Sequence, residues 1–126
     1  HVEQRTSIEL PASILENMSG ELEILPSLEA DEFYEITRGY ARLNGQGTFS
    51  GVEIDITTSV GESSQMTIPA SFFNTDFNAV YLEQSTSATT TLAFGSAIKL
   101  TSLSNMSFAG GVTTLSIQLV YRIIKI

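Results

Sequence analysis

The residues that could carry chemistry in this chain are fourteen carboxylates, six cations, one histidine and many hydroxyls, with no cysteine among 126 residues. A thiolate metal site and a disulfide framework are therefore both excluded. His1 is the lone imidazole, so two- and three-histidine zinc sites fail for want of ligands. An amino-terminal copper brace needs a second histidine and fails on the same count. A Ser-His-Asp triad would have to be built on a terminal residue, where chains are rarely held still. A glycosidase-type carboxylate pair has many combinations to draw on, yet the acids beyond residue 35 fall in expected loops and outward strand positions. No D-x-[DN]-x-[DN]-G loop occurs; Asp31-Glu32, Asp55 and Asp76 are the acids that could join a loop-built calcium site. Gly45, Gly47 and Gly51 open no helix and read as turn glycines rather than a phosphate cradle. Asn17-Met18-Ser19 and Asn105-Met106-Ser107 match the N-glycosylation pattern at a frequency close to chance for so Ser/Thr-rich a chain. The expectation is a protein that is not an enzyme and uses no metal or cofactor.

Charge points the same way, towards surfaces rather than reactions. Residues 1–35 hold nine acids and one base, Arg5, whereas residues 36–126 hold five of each, so the whole formal charge of −8 lies in the first 35 residues. A nucleic-acid-binding surface needs the opposite sign, and no nucleic-acid partner is expected. No apolar run approaches the ~20 residues of a membrane span, so no membrane partner is expected either. The acidic segment is a solvated face or an arm that lies on a basic partner surface. The chain opens on His1 rather than Met, with no signal-peptide pattern, and residues before it are expected to have been removed.

The elements that must position these residues are strands. At this length one domain can bury roughly two thirds of its unfolded surface. An apolar share of 42%, 30 Ser and Thr, and plentiful Val, Ile, Phe and Tyr make an all-β composition. Alternating runs predict strands at 34–43, 48–58, 65–69, 78–84, 90–94, 97–103 and 113–125, separated by turn signals. In the last of these Leu115, Ile117, Leu119, Tyr121 and Ile123 alternate with Ser116, Gln118, Val120 and Arg122, and the continuously apolar side marks a central core strand. Earlier, "SIEL" and "ELEIL" read as short strands, and 11–18 and 69–76 as helical turns started by Pro11 and Pro69. "LPASIL" and "IPASFF" share turn chemistry and no longer register, so no repeat is supported. These signals predict an antiparallel β-sandwich over residues 33–126, preceded by an irregular acidic N-terminal arm over 1–32.

The stretch "EITRGYARLNGQGTFSGVEIDI" carries the candidate interface. Asn44-Gly45 predicts a hairpin joining the strands on either side, with a two- or a four-residue loop. Either loop gathers Thr37, Gly39, Ala41 and Leu43 with Val52, Ile54 and Ile56 on the core face, whereas a three-residue loop would invert the faces. Outward, Arg38, Tyr40 and Arg42, with Ile36 in the same phase, meet Phe49, Glu53 and Asp55. Two readings of that face stand: a solvated ion pair with a Tyr40–Phe49 contact, or a protein interface, where Tyr, Phe and Arg are enriched.

With those residues in view, "FYEITRGYARLNGQGTFSGVEIDI", "TIPASFFNTDFNAVYLEQS" and "GGVTTLSIQLVYRIIKI" resemble small virion proteins of tailed bacteriophages, the head-decoration and head-fibre-type β-sandwich subunits. The resemblance spans about residues 33–126 and brings no catalytic residue with it. It implies a jelly-roll-like build for the all-β sandwich and a structural protein of the virion, a capsid decoration or auxiliary subunit that forms homo-oligomers, a trimer above all. Its implied partners are itself and the major capsid protein or another virion protein. A carbohydrate- or cell-surface-binding β-sandwich is the alternative, though the lack of Trp and the presence of only four Tyr leave it short of aromatic platforms.

Overall fold

Strand β10 (Thr114–Lys125) is the spine of the first sheet, and its sequence explains why. Leu115, Ile117 and Leu119 are all but fully buried on one face, while Thr114, Ser116 and Gln118 on the other are only half-buried. Burying each such aliphatic side chain is worth about 1.5–3 kcal/mol, which makes this strand the main apolar contributor to its sheet. The computed structural model describes residues 2–17, 19–44, 48–50, 53–58, 64–74, 79–82, 92–102, 105, 107–109 and 114–126. The other strands are β1 (Gln4–Pro11), β2 (Gly20–Leu25), β3 (Glu32–Asn44), β4 (Thr48–Ser50), β5 (Ile54–Thr58), β6 (Ser64–Ile68), β7 (Ala79–Leu82), β8 (Ile98–Ser102) and β9 (Ser107–Ala109). One α-turn, α1 (Ala12–Leu15), and a 3-10 turn at Ala70–Asn74 join them at the positions the two prolines mark.

Among the described residues every strand pairing is antiparallel. One four-stranded sheet has the order β1-β10-β3-β7, a second has β2-β8-β5-β6, and β4 and β9 form a separate ribbon. Four of the pairings (β1 with β10, β2 with β8, β3 with β7, β5 with β6) are nested like rungs of one long hairpin. Rolling that hairpin up brings β3 onto β10 and β5 onto β8, which is the jelly-roll order. One continuous core lies between the sheets. Leu10, Ile36, Ala41, Leu43, Leu115, Ile117 and Leu119 face it from the first sheet; Leu25, Ile54, Ile56, Met66, Ile68, Ile98 and Leu100 face it from the second.

Among the described residues, β3 does not pair with the run after Asn44-Gly45 as the expected hairpin requires. β3 pairs with β10 and β7, and the run 48–58 divides into β4, which pairs with β9, and β5, which lies in the other sheet. Residues 45–47 of that turn are outside the described residues, as is Val52. The expected strand 90–94 is also absent: Leu92 to Phe94 are loop and turn, with 90 and 91 outside the described residues.

The first 32 residues, expected as an arm, are built into both sheets. β1 lies along β10 over its full length, β2 along β8, and Leu10, Leu15 and Leu25 are buried in the shared core. Within these strands Glu9, Glu21 and Glu23 alternate with inward residues and are exposed, so a strongly charged segment still supplies two strands.

A bulge sets the facing of β3. Across the step Val120 to Tyr121 on β10, β3 advances from Arg38 to Ile36, leaving Thr37 as the extra residue. The Thr37 hydroxyl donates to the Val120 carbonyl at 3.1 Å and holds the bulge in place. Before it, Tyr34 and Ile36 point to the core; after it, Gly39, Ala41 and Leu43 do. Uniform alternation put Ile36 outward with Arg38, whereas it is fully buried because the bulge shifts the phase by one residue.

Candidate assembly surface

The outer face of the first sheet collects the chain's guanidinium groups. Reading across β1, β10 and β3, the rows are Glu9–Ser116–Arg42, Ser7–Gln118–Tyr40 and Arg5–Val120–Arg38, followed by Arg122 beside Glu35. All four arginines of the sequence therefore lie on one face, against Glu3, Glu9 and Glu35, in a molecule of net charge −8. The outer face of the second sheet has the opposite bias, with Glu21, Glu23 and Asp55 around Lys99, which pairs with Glu21.

On the first face Arg38 Nη2 reaches Glu3 Oε1 at 2.6 Å, an ion pair that spans β10 from β3 to the start of β1. Val120, outward by its position on β10, is only 1% exposed and lies outside the core cluster. Its Cα partners are Arg5 on one side and Arg38 on the other, so the arginine stems are placed to roof it. Arg122 Nε lies 3.3 Å from Glu35 Oε1, and Gln118 Nε2 donates to Ser7 Oγ at 3.5 Å. These exposed pairs are each worth ~1 kcal/mol or less, so they organise the face more than they stabilise the fold. Tyr40, 40% exposed, stands between Arg38 and Arg42 on the same strand.

Of the six residues expected to form one patch, Arg38, Tyr40 and Arg42 share this face, and the other three belong to other elements. Phe49 is on β4, paired with Phe108 of β9; Glu53 precedes β5; Asp55 is on β5 in the second sheet. The patch divides because β3 takes its neighbours from distant parts of the chain and not from the run that follows it. Asp55 accepts a hydrogen bond from Thr67 Oγ1 at 2.7 Å. Hydrogen bonding with Asp55, and then that group's charge, holds the Glu53 carboxyl above the usual carboxylate range. Glu3, Arg5, Ser7, Glu9, Glu35, Gln118 and Arg122 are members that sequence reasoning missed. The signal was present in "EQRTSIEL", where Glu3, Arg5, Ser7 and Glu9 alternate with Thr6, Ile8 and Leu10.

A second feature lies at the end of the sandwich where β3 begins and β10 finishes. Phe33 and Phe94 meet edge to face with ring centroids 5.5 Å apart, and Ile124 is the β10 partner of Phe33. Gly95 adopts φ +69°, a turn that favours glycine, and its N–H donates to the Glu32 carbonyl at 2.8 Å, which seats Phe94 there. Phe94 stays exposed at this contact, and Ile126, whose N–H donates to the Asp31 carbonyl, is exposed as well.

The chemistry weighed from sequence finds structural uses here. Asp31 pairs with Lys125 at 3.5 Å, and Glu32 Oε1 accepts from the Glu29 N–H. Among the described residues no group of three or more His, Cys, Asp or Glu could hold a metal ion. His1 and Asp76 are outside the described residues. Asn17 Nδ2 donates to the Ser13 carbonyl at the end of α1, and Asn105 Oδ1 accepts from the Ser19 N–H at 2.7 Å. The two Asn-x-Ser segments thus meet and tie the β1–β2 connection to the β8–β9 connection.

No protein-family model matches the sequence, and no curated protein matches it. Among solved structures, the chain is similar in fold to a chain of the acidic stable capsid structure of Helicobacter pylori bacteriophage KHP30. The TM-score is 0.52 at 9% identity, and the match covers 100% of this chain and 95% of that one.

Proposed function

We propose that this protein is a non-enzymatic structural component of a bacteriophage virion, a capsid decoration or auxiliary subunit that associates with itself and with another capsid protein. The observation that carries this reading is the extent of the structural likeness. The jelly-roll chain corresponds over its whole length to 95% of a chain from a phage capsid structure. The outer face of the first sheet is the contact surface in this reading. Tyr40 is its aromatic anchor, and Arg38 and Arg42 flank it, a combination enriched where proteins bind one another.

The test is reconstitution. Purified protein is mixed with phage capsids assembled without it, and the capsids are sedimented. Saturable co-sedimentation, weakened by Tyr40→Ala together with Arg42→Glu, is the expected result. A protein that stays in the supernatant with every capsid form overturns the virion role. Binding unaffected by the double variant moves the contact to another face.

A further inference from the structure

β1 differs from the other three sheet edges. It runs eight residues in an unbroken register on β10, whereas β7 has four residues and the ladders of β2 and β6 each contain a register shift. Folded proteins ordinarily blunt such edges with short strands, bulges, lysines, prolines or inward charges, because the outer side offers a row of unpaired N–H and C=O groups. Among the described residues β1 shows no bulge, no lysine and no inward charge before Pro11; its charges, Arg5 and Glu9, point outward, and its inward residues are Gln4, Thr6, Ile8 and Leu10.

The outward charges on β1 select one partner and one register. An antiparallel strand that continues a sheet must set side chains of the same face opposite each other. For a second copy of β1 related by a two-fold axis, the axis therefore passes through a residue that faces itself. Centred on Arg5, the arginines collide; centred on Thr6, Glu3 opposes Glu9 twice; centred on Ile8, Arg5 meets Pro11 and Ser7 meets Glu9. Centred on Ser7, Arg5 opposes Glu9 on both sides of the axis, Ser7 faces Ser7, and Thr6 faces Ile8 on the inner side. Neither Arg5 nor Glu9 forms an ion pair with another of the described residues, so both are available for this contact.

We propose that β1 is a self-recognition edge: two copies join β1 to β1 antiparallel about a two-fold axis at Ser7, and reciprocal Arg5–Glu9 pairs fix the register. The two first sheets then form one eight-stranded sheet, β7-β3-β10-β1-β1-β10-β3-β7. This contact does not depend on the capsid role.

Ser7→Cys tests the geometry in the full-length chain, since directly opposed Cβ atoms lie about 4.5–5.5 Å apart. Mild oxidation is expected to link Ser7→Cys into a covalent dimer, while Ser116→Cys, one strand further in, stays unlinked. Sedimentation tests the register. Arg5→Glu or Glu9→Arg alone is expected to weaken dimerisation about ten-fold or more, and Arg5→Glu combined with Glu9→Arg to restore it. Rescue by the double swap separates loss of the contact from loss of the fold. A wild-type chain that stays monomeric, an odd-numbered assembly indifferent to both swaps, or equal cross-linking at Ser7→Cys and Ser116→Cys each overturns the proposal.

Discussion

Tyr34 shows how one side chain fixes a connection between the two sheets. Its ring packs edge to face on Tyr121 at 5.5 Å, and its hydroxyl donates to the Pro26 carbonyl at 2.6 Å, pinning the β2–β3 connection. Burial first, and then neighbouring Tyr121, Glu23 and Glu32, push its ionisation up from 10.0 to about 12. A raised acid of this kind stabilises the fold fully below the unfolded value near 10, and that contribution is lost as pH rises towards 12. Tyr34→Phe keeps the ring and removes the donor. It should cost about 1 kcal/mol in urea unfolding at neutral pH and reduce the loss of stability between pH 10 and 12. Glu53 carries the same sign at the acid end. Its raised ionisation means the Glu53–Asp55 contact favours the fold below the ordinary carboxylate range and loses that advantage as pH rises through it. Glu53→Gln should therefore flatten the stability profile across mildly acidic pH, measured as melting temperature in a buffer series.

At the scale of elements, the bulge on β3 governs both faces of the first sheet. Deleting Thr37 removes the phase shift, so either Tyr34 and Ile36 or Ala41 and Leu43 must turn away from the core. The expected outcome is an insoluble or molten chain, read by loss of near-ultraviolet circular dichroism, while Thr37→Val keeps the bulge and loses only its hydrogen bond. The same element marks where sequence reading succeeded and stopped. The alternation of Leu115, Ile117 and Leu119 was legible because a core strand writes its burial into every second residue. Ala41 and Leu43 were placed on the core face and Arg38, Tyr40 and Arg42 outside for the same reason. Ile36 was misplaced because a bulge leaves no mark on composition: Thr37 differs from its neighbours only in the partner it finds. The hairpin at Asn44-Gly45 failed for a different reason. Turn residues report local chain reversal, whereas the partners of β3 are chosen by the core it shares with β10 and β7.

At the scale of the molecule, the acidic N-terminal segment is part of the sandwich. Removing residues 1–11 strips β1 from β10, takes Leu10 out of the core and leaves β10 as a sheet edge. The truncated chain should lose cooperative unfolding and bind an apolar dye, rather than survive as a β domain without its arm. The unequal outer faces belong to this scale too. With every arginine on one sheet and an acidic excess on the other, the molecule is electrically polar across its thickness. Association through the arginine face should weaken as salt rises, in sedimentation at graded ionic strength, because exposed charges beyond about 10 Å are screened at 0.1 M.

The pairing of β1 with β10 also sets a clock. Gln4 and Tyr121, joined by a side-chain contact, are 117 positions apart in the chain. On a ribosome β1 is made early and then waits, its edges bare, until β10 has cleared the exit tunnel. No stable first sheet can form on the nascent chain before that moment, and loop closure over such a span is slow. Nascent chains arrested before residue 114 should remain sensitive to protease, and resistance should appear only once residues 114–125 have left the tunnel. The waiting strand is exposed alongside many neighbouring copies on one message, so a protein folded this way gains from prompt synthesis and short polysomes.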